Sequence, residues 1–75
     1  MNKDVLEGRW KQIRGEVKKQ WGKLTDDEVD RIEGSTDKLA GSLQERYGFG
    51  KKEAKEKVAD FMERMERKFN PQIEK

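Results

Sequence analysis

The stretch richest in usable chemistry runs Leu43-Gln44-Glu45-Arg46-Tyr47-Gly48-Phe49-Gly50-Lys51-Lys52-Glu53-Ala54. Two glycines flank one aromatic residue, and cations follow at once. Such a turn lets the backbone approach an anion closely, and the free N–H groups that open the next helix point toward a phosphate oxygen. Arg46, Gly48, Gly50, Lys51, Lys52 and Lys55 are therefore candidates for a sequence-independent, salt-sensitive contact with a DNA backbone. The same residues fit a structural turn between two helices more simply, with Gly48 ending the first and Phe49 plugging the core. An analogous turn earlier in the chain is followed by Asp26, Asp27 and Glu28, which repel phosphate. At most one of the two turns suits DNA.

Other chemistry is scarce. The chain has no His and no Cys, which removes imidazole acid–base catalysis, thiol nucleophiles, disulfides and zinc sites together. Thr25, Ser35, Thr36 and Ser42 remain as hydroxyl nucleophiles, but each has a cap or surface explanation and none has a marked base. The run Asp26-Asp27-Glu28-Val29-Asp30 lacks the alternating ligand spacing, central Gly and distal Glu of a calcium loop, and carboxylates at a helix start already favour the helix dipole. Trp10, Trp21, Tyr47, Phe49 and Phe61 could stack on bases, yet their helical spacing assigns them to a core. The reading is of a protein that is not an enzyme, with no cofactor and no metal.

Seventy-five residues allow one small domain and little room to enclose a substrate. Charged residues make up 45% of the chain and hydrophobic ones 31%, close to the composition of disordered segments. The net charge is only +2, however, and the apolar residues are ordered, which predicts a folded domain of modest stability. The N-terminus has no apolar run of signal-peptide length, and no stretch approaches the length of a membrane span. The expectation is a soluble cytoplasmic protein. Charge is dipolar along the sequence: residues 1–24 and 46–75 carry a basic excess, residues 25–45 an acidic one. Salt bridges between helices explain these blocks as well as a ligand does, and a dedicated nucleic-acid binder usually has a clearer basic excess.

An internal repeat organises these residues. Shifted by 26 positions, Leu6-Glu7-Gly8 meets Ile32-Glu33-Gly34, Ile13 meets Leu39, Gly15 meets Gly41, Val17 meets Leu43, and Trp21-Gly22 meets Tyr47-Gly48. The repeat predicts an all-α fold of four helices arranged as two pseudo-repeated hairpins, a small irregular bundle. Leu6, Trp10, Ile13, Val17, Trp21 and Leu24 form one apolar stripe, Leu39, Leu43 and Tyr47 a second, and Ala54, Val58, Phe61, Met62, Met65 and Phe69 a third. Thr25 to Glu28 reads as a capping box, Gly34 as the residue ending the second helix, and Ser35 or Thr36 as the next N-cap. The expected helices span about 3–21, 26–33, 36–47 and 51–69, within a domain over 1–69 and a tail over 70–75 that begins at Asn70-Pro71.

Two features of these helices stand apart. Gly8, Gly15 and Gly41 lie inside helices, opposite the apolar stripe, where glycine costs about 1 kcal/mol relative to alanine. They mark either a surface that tolerates reduced stability or a close approach by another helix or subunit. The last helix has Glu53–Lys57, Asp60–Arg64 and Glu63–Arg67 at favourable spacing. Its stripe through Met62, Met65 and Phe69 runs beyond what short hairpins cover, and predicts contact with the first helix, a homodimer or a partner surface.

Asn2, Gly8-Arg9-Trp10-Lys11-Gln12-Ile13-Arg14-Gly15 and Trp21-Gly22-Lys23-Leu24-Thr25-Asp26-Asp27-Glu28 resemble the CsbD-like family of bacterial stress proteins. Ile32-Glu33-Gly34, Leu39, Gly41 and Gln44-Glu45-Arg46-Tyr47-Gly48 agree with it, and the likeness covers about residues 1–60. It implies a small all-α bacterial protein of general, osmotic or envelope stress, without catalytic residues or cofactor to transfer. The tail from Met62 to Lys75 departs most from the family. Separately, residues 43–58 resemble a helix-hairpin-helix motif, which supports the DNA alternative. High charge and low hydropathy resemble hydrophilin-type protectants, so the leading expectation is a non-catalytic stress protein that acts through its whole surface.

Overall fold

The computed structural model describes residues 7–69. Its helices are α1 (Trp10–Gln20), α2 (Asp26–Ile32), α3 (Thr36–Tyr47) and α4 (Lys51–Phe69). Glu7 and Gly8 are also helical, but a turn at Arg9 separates them from α1, whose first turn closes on the Arg9 carbonyl. The helix expected over 3–21 is thus interrupted at Arg9, and its described part ends at Gln20. Positions 3–6, including Leu6 of the stripe and repeat, lie outside the described residues, as do the tail over 70–75 and its Asn70-Pro71 stop.

The caps follow from local chemistry. The Glu28 N–H donates to Thr25 Oγ1 at 3.1 Å, and the Thr25 N–H donates back to Glu28 Oε1 at 2.9 Å, completing the capping box. Ser35, not Thr36, caps α3, accepting from the Lys38 N–H at 3.2 Å. α2 ends on Glu33 and Gly34, both left-handed, and α3 ends on left-handed Gly48, whose N–H donates to the Gln44 carbonyl at 3.0 Å.

α1 pairs with α2 and α3 with α4, as the repeat requires, and α3 also packs on α2. The fold is all-α, two hairpins in one small bundle. Repeat-related pairs occupy equivalent places: Ile13 and Leu39, and Val17 and Leu43, are all fully buried. Leu24 is fully buried too, although α1 ends at Gln20, so the stripe continues into the loop by tertiary packing. Among the described residues every buried side chain is hydrophobic.

The last helix meets the first, one of the arrangements its stripe predicts. Phe61 packs on Trp21 with ring centroids 5.0 Å apart, Arg64 donates to Gln20 at 3.2 Å, and Lys68 to Glu16 at 2.6 Å. The Arg9 guanidinium lies 5.5 Å from the Phe69 ring centroid. Ascending positions on α4 meet descending ones on α1, so the two helices run antiparallel, joined by long side chains. This corrects the expected pairing along α4. Of the three expected pairs only Glu63–Arg67 forms, at 3.8 Å, whereas Lys57 turns to Phe49 and Arg64 to Gln20 and the Phe61 ring.

A Cβ added at Gly8, Gly15 or Gly41 meets no atom within 4 Å, so no neighbouring helix among the described residues approaches them. Within α1 and α3 a glycine lowers helix stability relative to alanine. Gly15→Ala and Gly41→Ala are each expected to stabilise the fold by about 0.5–1 kcal/mol. Thermal unfolding checks this, with a rise of roughly 4–8 °C per kcal/mol expected for a domain of this size.

Candidate functional site

The Gly48-Phe49-Gly50 turn and the start of α4 hold most of the sequence-derived candidates. Gly48 has φ +73°, while Gly50 takes no left-handed conformation and supplies the carbonyl that accepts the Ala54 N–H at 2.9 Å. Phe49 packs against the core in part, in line with the structural-turn alternative. It is half-buried at the core's edge, stacked on Tyr47 with centroids 5.4 Å apart and planes 12° from parallel. Lys57 Nζ lies 5.4 Å from the Phe49 ring centroid and Lys23 Nζ 5.1 Å from that of Tyr47. Both rings of this stack therefore have an ammonium partner.

Arg46 is engaged elsewhere. Its Nε donates to Glu28 Oε2 at 2.7 Å, so the guanidinium joins the end of α3 to the start of α2. Beside it the Lys23 N–H donates to the Tyr47 hydroxyl at 3.2 Å. These two contacts form the joint between the hairpins. Lys51, Lys52 and Lys55 are exposed, and no side-chain hydrogen bond or ion pair among the described residues occupies them. Of the six residues proposed for a phosphate contact, Lys51, Lys52 and Lys55 follow the two turn glycines as exposed cations, while Arg46, also exposed, already pairs with Glu28.

The carboxylates of the acidic run largely serve the fold. Asp26 lies 3.7 Å from Lys18, Glu28 closes the capping box and holds Arg46, and Asp30 pairs with Arg14. Lys18 also donates to the Leu24 carbonyl at 2.6 Å, fixing the α1–α2 loop. Among the described residues no group of three or more acidic side chains is arranged to hold a metal. Of the proposed interface residues, Met65 is in the core at 6% exposure, Phe69 is half-buried beneath Arg9, and Met62 is half-buried at the α3–α4 seam.

The Thr25 N–H and the Arg46 guanidinium, in that order of effect, hold the Glu28 carboxyl below its ordinary value. The hydrogen bond from Lys68 does the same for Glu16, against a smaller opposing effect of desolvation. A depressed carboxylate stabilises the fold above its unfolded value, about 4.3 for Glu, and that contribution disappears as pH falls through the lower folded value. Glu28→Gln keeps an acceptor for the cap but loses the charge. Its stability is expected to fall less steeply than wild type on acidification below about pH 4.3, as urea unfolding at stepped pH measures.

The joint is not legible in the sequence. Tyr47 in place of the repeat-related Trp21 is the one signal, since it puts a hydroxyl where its counterpart has an indole. The partner of that hydroxyl, and the choice of Glu28 by Arg46, depend on how the hairpins dock. Among the described residues no helix is long and apolar enough to cross a membrane.

The CsbD-like family profile matches residues 4–56. The UPF0337 protein YjbJ of Escherichia coli (strain K12) is 54% identical over 66 residues, covering 88% of this chain and 96% of its own. A UPF0337 protein of Bordetella pertussis is 50% identical over 64 residues, 85% of this chain and 97% of its own. A UPF0337 protein of Pseudomonas aeruginosa is 48% identical over 65 residues, 87% of this chain and all of its own.

Proposed function

Because the chain belongs to the CsbD-like family of bacterial stress-response proteins, we propose that it acts without catalysis, as a protectant whose working part is its hydrated, charge-paired surface. One observation carries this reading. The buried side chains are apolar, while ionic side chains lie outside and pair across helices, as in Glu28–Arg46 and Glu16–Lys68. Such a surface stays hydrated and carries little net charge to draw it onto one partner.

The test is protection of a client enzyme during drying or heating. A variant combining Lys11→Glu, Glu56→Lys, Lys52→Glu and Glu53→Lys exchanges exposed charges without changing the net. Protection by this variant equal to wild type is expected. Loss of protection in the exchanged variant, or none in wild type, sinks the reading.

The three free cations favour a second reading, a contact with the DNA backbone through Lys51, Lys52 and Lys55. It requires duplex binding that weakens with salt and is abolished by Lys51→Glu with Lys52→Glu. Equal binding by that variant, or silence of wild type at low salt, ends it.

A further inference from the structure

The seam of the second hairpin carries an apolar feature that the protectant reading does not use. Between α3 and α4 lies a groove of about 340 Å³. Ala40 and Val58 form its floor at 6% and 4% exposure, and half-buried Met62 and exposed Ala59 form its wall. Alanine at two of these four positions keeps the seam shallow enough for another helix to approach. A second depression continues the groove toward Gln44 and Lys51.

The rim selects the occupant. Asp37 stands on the α3 side and Lys55 on the α4 side, both exposed. Neither side chain makes a hydrogen bond or ion pair among the described residues, although Arg14, Lys18, Asp26, Glu28, Asp30 and Arg46 around the α1–α2 and α2–α3 contacts all do. One free acid and one free base across an apolar seam make a self-complementary surface. A two-fold contact requires this, because whatever one copy presents must be satisfied by the same patch on the other. We propose that the α3–α4 groove binds a second copy of this chain, with Asp37 of each copy against Lys55 of the other and Ala40, Ala59 and Met62 packed between them. The paired hairpins then form a four-helix contact at the small end of specific interfaces. The proposal is independent of the protectant reading and replaces the stripe through Met65, which is committed to the core.

Sedimentation of the full chain from about 10 µM to 1 mM, the range of a weak interface, reads the association directly. Wild type is expected to show a reversible monomer–dimer equilibrium. Ala59→Arg, a change at an exposed position, is expected to remain monomeric while melting as a folded protein. Asp37→Lys is expected to weaken association by about tenfold or more, and Asp37→Lys with Lys55→Asp to restore it. Restoration by the exchanged pair tests the contact independently of any cost that Asp37→Lys brings to α3. Wild type that stays monomeric at about 1 mM leaves the groove to a different partner and overturns the proposal. Ala59→Arg that dimerises as wild type does overturns it equally, by placing the contact on another face.

Discussion

Phe61→Ala is expected to remove about 3–5 kcal/mol of stability, much of the roughly 4–11 kcal/mol that a chain of this length holds. Phe61 is 1% exposed and is the largest fully buried side chain. It sits where α4 meets the end of α1, its ring against Trp21 and beneath Arg64. The contact joins residues far apart in sequence and ties the second hairpin to the first, so its loss is not repaired by either hairpin alone. A core this small has few neighbours able to collapse into the space. Phe61→Leu should cost clearly less, because it leaves a smaller cavity. Urea unfolding followed by tryptophan fluorescence and circular dichroism measures both. A Phe61→Ala transition displaced by less than about 1 kcal/mol would show that Trp21 and α4 do not depend on each other for packing.

The parts of this fold written in short-range code are legible. α3 and α4 have the expected limits, and α2 ends one residue earlier than expected, because capping residues and the spacing of Leu39, Leu43, Ala54, Val58 and Phe61 are local signals. The repeat foretells that Ile13 and Val17 are buried like Leu39 and Leu43. It does not foretell that Gly8 and Gly34 differ. Gly8 is helical with open space beside it, whereas Gly34 is left-handed and buried. Choices among charged partners are also out of reach. Glu53 and Lys57 have favourable spacing, yet Lys57 lies over Phe49, because an exposed ion pair and an exposed cation–π contact differ by fractions of a kcal/mol. Met65 belongs to the core rather than to an outer surface because α4 leans along α1, a docking that no local signal encodes.

The three charge blocks take on meaning once the helices are placed. Arg14–Asp30 joins the first block to the second, Arg46–Glu28 the third to the second, and Lys68–Glu16 the third to the first. Each pair is solvent-accessible and of small energetic value, and salt screens it further. The blocks therefore orient the helices more than they hold them, while the apolar core maintains the fold when ionic strength rises.

Gly34→Ala should destabilise the fold more than Gly48→Ala, and the difference isolates one contact. Both glycines are left-handed, at φ +82° and +73°, a region that costs an L residue about 1–2 kcal/mol. At Gly48 an added Cβ meets open space, so Gly48→Ala bears the conformational cost alone. At Gly34 the same atom would lie 2.8 Å from the Glu7 Cα and 3.1 Å from its backbone N. Those are main-chain atoms and cannot swing aside as a side-chain tip does. The turn formed by Glu7, Gly8 and Arg9 has to shift, and with it the start of α1 and the Arg9 contact with Phe69. Glu33 is itself left-handed at φ +49°, so the α2–α3 reversal already contains one strained residue and has little freedom to absorb a second. Denaturant unfolding of the two variants gives the energies, and amide shifts at Glu7, Gly8 and Arg9 in Gly34→Ala alone locate the displacement. Equal costs with unmoved amides would mean that the N-terminal turn does not rest on Gly34, and that the glycine serves only the reversal of the chain.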